Sequence, residues 1–259
     1  ALILDEARAL IDQGYQEIVL TGINIGDYDG GEIKSTLSQL IKSVDKLPGL
    51  KRLRVSSIDP DEVDDSLIEA ILEGDNTCPS MHIVLQSGSN MILKRMRRKY
   101  TRQVFYNTID KLQRMCPEFT FTTDLIVGFP GESEADFQDS LSVIKNVKFA
   151  KVHVFPYSDR PKTRASRFSD KIMPQEMKKR KAIIISEAEK QAYLLRERYV
   201  GKELEVLTES VDKNNSSLIP GYTKHFLPVI INTTKNIKAN QLVTVKIKEN
   251  SPEGMVACL

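Results

Sequence analysis

Between Gln86 and Ser89 the chain reads Gln-Ser-Gly-Ser. The next thirteen residues carry six basic side chains, Lys94, Arg95, Arg97, Arg98, Lys99 and Arg102, with no acid from Gln86 to Ile109. Amide and hydroxyl groups on a tight turn make directional, uncharged hydrogen bonds of the kind ribose and amino-acid groups accept. Uncompensated cations beside such a turn draw a polyanion. A second basic set, Arg160, Lys162, Arg164 and Arg167, lies in a stretch without apolar period, Pro156–Met173, which reads as a long basic loop. On charge alone, a solvated surface explains either set equally well.

Groups that do covalent or metal chemistry are less evident. Cys78, Cys116 and Cys258 are far apart, with no CxxC spacing and no disulfide framework, so each reads as a buried or loop thiol in a reducing, cytoplasmic setting. His82 and His153 sit in strand-like runs and His225 stands alone, so no metal site is assigned. Asp124 and Glu132 are the candidate carboxylates, although a cap or a turn accounts for them as well. No catalytic residue is assigned from these residues.

The elements that must position these groups follow from periodicity. Ile3, Ala7, Leu10 and Ile11 form one helical face, and Leu37, Leu40, Ile41, Val44 and Leu47 another that stops at Pro48-Gly49. Asp64 or Asp65 caps a helix bearing Leu67, Ile68, Ile71 and Leu72, and Ser133 caps one bearing Phe137, Leu141 and Ile144. Arg102–Met115 is a further helix, and the basic run after Ser89 reads as helical too. Between them lie β-type runs at Glu17–Thr21, Arg52–Ser56, Met81–Leu85, Phe119–Val127 and Lys151–Phe155. Alternation of this kind predicts an α/β fold with a parallel sheet, open or closed, and the expected form is an incomplete TIM-like (β/α) barrel.

Each of these strands ends in a polar or glycine-rich turn, and turns gathered on one rim are how such folds build ligand sites. The chain opens on a helix, so the expected first strand is missing or lies upstream. Pro174 starts a long charged helix to about residue 199. Beyond it Leu204–Leu207, Pro228–Ile231 and Leu242–Ile247 are short β runs of a small barrel. The expected division is 1–173, 174–200 and 201–259.

At 259 residues, 28% charged and 41% hydrophobic, the chain has the makeup of a globular protein with a sizeable core. No apolar run nears the roughly 20 residues of a membrane helix. Net charge is only +2, but residues 1–93 carry a balance of −9 and residues 151–200 one of +7. That asymmetry suggests a face meant for a phosphate-bearing partner, and with no long apolar run no membrane partner is expected.

The blocks GYQEIVLTGINIGDY, RLRVSSIDPDEVDDSLIEAI, HIVLQSGSNMILKRMRRKYT, TTDLIVGFPGESEADFQDSL and HVFPYSDRPKTRAS, in this order, resemble the radical S-adenosylmethionine (SAM) methylthiotransferase family. GYTKHFLPVII and GMVACL resemble its carboxyl-terminal TRAM domain, an RNA-binding β-barrel. LTGINIGDY and HVFPYSDRPKTRAS look most like the branch that acts on threonylcarbamoyladenosine in tRNA. Alternatives are the isopentenyladenosine or ribosomal-protein branches, or a non-catalytic RNA-binding protein that lost its cluster.

The resemblance implies SAM contacts at Gly22, Asn24, Ser57, Gln86, Ser87 and Asp124, with Arg97 or Arg98 on the SAM carboxylate or on RNA phosphate. It implies RNA contacts at Lys99, Arg160, Lys162, Arg164, Arg167, Lys224 and His225. The β-module and the basic loop are expected beside the barrel mouth, holding a tRNA anticodon stem-loop. SAM and two 4Fe–4S clusters serve the full-length enzyme. The family's CxxxCxxC should precede Ala1, together with an amino-terminal part of the same enzyme, so this chain alone is expected to be inactive and to bind no cluster through its own cysteines.

Overall fold

The computed structural model describes residues 2–210 and 217–259. Its first part repeats a strand–helix unit. Helix α1 (Leu2–Asp12) precedes strand β1 (Glu17–Leu20) and helix α2 (Leu37–Asp45). A capping box opens α2: Thr36 Oγ1 accepts the Gln39 N–H, and the Gln39 side chain accepts the Thr36 N–H at 3.1 Å. Strand β2 (Arg52–Val55) leads to α3 (Asp65–Leu72), whose cap Asp64 accepts the Leu67 N–H at 2.8 Å. Then come β3 (Ser80–His82), α4 (Asn90–Arg95), α5 (Arg102–Met115), β4 (Thr120–Val127), α6 (Glu134–Val147) and β5 (Lys151–Pro156).

Strands β1 and β2 pair in parallel, as do β3, β4 and β5, and the bridges Leu53↔Thr77 and Ile58↔Ile83 join the two groups in chain order. Residues that alternate toward the helices, such as Leu53, Ile83 and Leu125, are buried against Ile68, Phe105 and Ile144. Each such side chain contributes about 1.5–3 kcal/mol by leaving water. The opposite faces of the strands carry the polar residues Arg52, Arg54, His82 and Asp124.

Helix α7 (Pro174–Arg196) crosses β5 and joins two cores, burying Ile184 and Ala188 in the first and Leu195 in the second. The second core fills a closed barrel of β6 (Glu203–Thr208), β7 (Leu218–Thr223), β8 (Pro228–Asn232), β9 (Leu242–Asn250) and β10 (Met255–Cys258), in the order β10-β8-β7-β6-β9. Strands β7 and β10 go beyond the three runs visible by composition, because β7 contains Pro220 and Gly221 and β10 is four residues long.

Three sequence expectations change. The basic run is not one helix: α4 ends at Arg95, Arg97 takes a left-handed φ of 61°, and α5 starts afresh behind its cap Thr101. The reversal spreads Arg95, Arg97, Arg98 and Lys99 around a rim.

Second, Gly88, in a turn expected to help build a ligand site, serves helix packing. A Cβ there would stand 2.6 Å from the Asp139 carbonyl oxygen on α6, and its N–H donates to Ser140 Oγ at 2.9 Å.

Third, the β-module is not beside the mouth. Its partners are Arg52, which donates to the Tyr222 and Glu205 carbonyls at 2.8 and 2.9 Å, and Arg54, which donates to the Thr223 carbonyl at 2.9 Å. Thr120 Oγ1 donates to the His225 carbonyl. Arg52 and Thr120 open β2 and β4, so the module covers the amino-terminal ends of the parallel strands, opposite the polar turns.

Candidate functional site

The carboxyl-terminal rim holds a cleft of about 520 Å³, reached by the turns after β1, β2 and β3 and by the basic loop. Its lining includes Asn24, Asp59, Glu62, Gln86, Arg97, Arg98, Lys99 and Arg164. Gln86 is held in place by its backbone: its N–H donates to the Asp124 carbonyl at 2.9 Å, its carbonyl accepts from Ile126 at 2.9 Å, and its φ is 61°. That left-handed conformation is uncommon outside glycine, and it turns the strand end toward the cleft.

Two carboxylates that the sequence reading did not single out stand in this wall. Asp59 meets Arg98 Nη1 at 3.2 Å, yet burial outweighs that neighbour and holds the carboxyl above its usual range. Glu62 is also pushed up, by burial first and then by Asp59. Its Oε2 is buried without a hydrogen-bond partner, beneath Gly26, where a Cβ would stand 2.0 Å from it. The signal for both was the Asp-Pro turn after β2, which a turn explains without a ligand.

Of the expected SAM contacts, the cleft gathers Asn24, Gln86 and Arg97. Gly22 and Ser57 are exposed but lie outside its lining. Ser87 is corrected: it is 0% exposed, and its Oγ accepts the Ser89 N–H at 3.2 Å at the start of α4. A short hydroxyl beside a helix start is as suited to the backbone as to a ligand.

Asp124 faces the inner side of the sheet. His82 Nε2 lies 3.6 Å from its Oδ1 and holds the carboxyl below the usual range, while His82 Nδ1 meets Thr122 Oγ1 at 2.9 Å. The His153 ring stacks on His82 at 6.1 Å. Glu132 is occupied elsewhere: its Oε2 accepts from Arg180 at 2.7 Å and from the Gly128 N–H at 2.8 Å, and both charged side chains are buried.

The expected RNA contacts divide between the two ends of the molecule. Lys99 and Arg164 line the rim cleft, and Arg167 lines an adjoining one, while Arg160 and Lys162 stand exposed on the loop outside both. None of these five has an ion-pair partner among the described residues. Lys224 is exposed at the opposite end, in a hollow that also contains Glu118, Glu203 and Glu205. His225 is corrected as an RNA contact: it is 3% exposed, packed against Tyr199, and burial pushes its imidazole down to about 4.

Cys78 is buried, Cys116 and Cys258 are partly so, and no group of three His, Cys, Asp or Glu side chains among the described residues is arranged for a metal. The residues present do not fit an iron–sulfur cluster. The rim cleft instead gathers the neutral side chains of Asn24 and Gln86 beside the cations of Arg97, Lys99 and Arg164, with Asn24 Nδ2 donating to Asp27 Oδ2. Among the described residues no helix is long and apolar enough to cross a membrane.

A family model described as the Radical SAM superfamily matches residues 1–144. A threonylcarbamoyladenosine tRNA methylthiotransferase MtaB from Chlamydia pneumoniae is 42% identical over 98% of this chain and 59% of that protein. The protein of the same name from Thermotoga maritima is 37% identical over 98% of this chain and 57% of its own length. A tRNA-2-methylthio-N(6)-dimethylallyladenosine synthase from Finegoldia magna is 36% identical over 95% of this chain and 53% of its own length. The chain thus spans little more than half of these relatives. In structure it is similar to coproporphyrinogen III oxidase (HemN) from Escherichia coli, a radical SAM enzyme, with a TM-score of 0.52 at 16% identity, covering 71% of this chain and 42% of that one.

Proposed function

The chain belongs to the radical SAM superfamily, and from that premise we propose that it is part of a tRNA methylthiotransferase acting on C2 of N6-threonylcarbamoyladenosine beside the anticodon. The observation that supports this reading is the rim cleft, where the amides of Asn24 and Gln86 and the carboxylates of Asp59 and Glu62 meet the unpaired cations Arg97, Lys99 and Arg164 at the carboxyl ends of parallel strands. Family membership implies SAM and a 4Fe–4S cluster. Together these supply a radical that takes hydrogen from an unactivated carbon, and SAM also supplies the methyl group.

In this reading Asn24 and Gln86 hold the ribose, and Arg97 faces the SAM carboxylate. Lys99, Arg160 and Lys162 take tRNA phosphates, and Arg164 and Arg167 face the modified base. The whole enzyme carries two clusters, and this chain alone is inactive. The terminal barrel is a TRAM-type RNA module, with Lys224 as its RNA contact, in a cytoplasmic enzyme.

Relatives named for the dimethylallyl base are nearly as similar. What favours the acidic threonylcarbamoyl base is the unpaired charge of Arg164 and Arg167.

Binding of an anticodon stem-loop as a function of salt tests the tRNA reading. Each phosphate neutralised adds about 0.7–0.9 to the slope of log K against log salt. The variant with Arg160→Ala and Lys162→Ala should bind more weakly and lose between one and two units of slope. Unchanged affinity and slope would reduce these side chains to solvated surface.

A further inference from the structure

The rim cleft adjoins an outer compartment of about 760 Å³ formed between α4 and the basic loop, and Arg95 and Arg164 line both. These two arginines are in different states. The Arg95 Nη2 lies 2.9 and 2.8 Å from the two Asp170 carboxylate oxygens, and its guanidinium rests 4.6 Å over the Phe168 ring. Its charge is paired. Arg164 has neither an ion pair nor a side-chain hydrogen bond among the described residues, and the same holds for Lys94 and Arg167 on the outer wall. The acid in the outer lining is Asp170, already held by Arg95. Three cations therefore converge without compensation around a hollow that also offers the apolar surfaces of Met91 and Phe168.

We propose that the outer compartment is a carboxylate subsite, in which Arg164 and Arg167 select an adenosine whose base substituent ends in an acid. This rests on the tRNA reading above and says what the cleft discriminates. A base seated in the inner compartment extends a substituent past Arg164, the shared wall, directly into the cationic hollow. A guanidinium presents parallel N–H donors that match a carboxylate in a bidentate pair, and the Met91 and Phe168 surfaces receive the substituent's carbon atoms. An apolar substituent offers these exposed cations no partner and so gains nothing from them.

The competing source of an anion is a backbone phosphate, and the test separates the two. Three hairpin RNAs are compared by anisotropy on the full chain: one with threonylcarbamoyladenosine at the reacting position, one with its carboxylate converted to the primary carboxamide, and one unmodified. All three carry the same phosphates. The chain should prefer the acid over the carboxamide by about tenfold or more. Arg164→Ala with Arg167→Ala should shrink that preference to below about threefold and leave carboxamide binding nearly unchanged. Arg164→Lys, which keeps the charge but loses the fork, should fall between.

Equal loss for acid and carboxamide would assign these cations to phosphate and overturn the subsite. So would a wild-type chain without preference. Binding of none of the RNAs would overturn the tRNA reading itself, and the subsite with it.

Discussion

Arg54, in the middle of β2, donates a hydrogen bond of 2.9 Å to the carbonyl oxygen of Thr223, 169 residues later in the chain. The same guanidinium pairs with Glu17 at 3.0 Å and is 7% exposed, so the joint between parallel sheet and β-barrel is built on a buried charge. Substituting Arg54→Ala strands Glu17 and frees two carbonyls, at a cost of about 3–5 kcal/mol. The exposed pair Arg8–Asp5 is the control, since surface pairs contribute about 0–1 kcal/mol. Urea titrations should show a large loss for Arg54→Ala and almost none for Arg8→Ala. Equal small losses would mean the two parts are not locked through this contact.

Arg180 on α7 neutralises Glu132 in the loop after β4, and removing it leaves a buried carboxylate with only the Gly128 N–H. Arg180→Ala should cost about 3–5 kcal/mol near neutrality. Burial already holds the Glu132 carboxyl above its ordinary 4.5, so the folded state takes up a proton more readily than the unfolded chain. Its contribution is fully present below 4.5 and falls away as pH rises through the folded value. The deficit of Arg180→Ala should therefore narrow on acidification. A deficit that is constant with pH would show that Glu132 is not the stranded group.

His225 is depressed to about 4 from an ordinary 6.5, so between those values the unfolded chain binds the proton and the folded chain does not. Stability should fall as pH drops from 6.5 toward 4, by up to about 3 kcal/mol. His225→Gln should flatten that part of the stability–pH curve. Parallel curves for variant and wild type would show that the imidazole titrates freely.

Periodicity and caps made much of the α/β part legible, because α2, α3 and α6 declare themselves through apolar spacing and through Asp64 and Ser133. Asn24, Gln86, Arg97, Lys99 and Arg164, which the family resemblance pointed to, line one cleft. It was not legible where backbone conformation decides: the left-handed turn at Arg97 divides a basic run that reads as one helix, and Ser87 is taken up by the start of α4. Module placement had no local signal. Arg52 and Arg54 read as ordinary strand residues, and only folding brings them to carbonyls some 170 positions away.

Methylthiotransfer to threonylcarbamoyladenosine in tRNA is tested most directly by deleting the gene in its host and measuring tRNA nucleosides by mass spectrometry. Loss of 2-methylthio-N6-threonylcarbamoyladenosine, accumulation of its precursor, and recovery of the product when the gene is restored are the expected results. Loss of the methylthio dimethylallyl nucleoside instead, or an unchanged nucleoside profile, would contradict it.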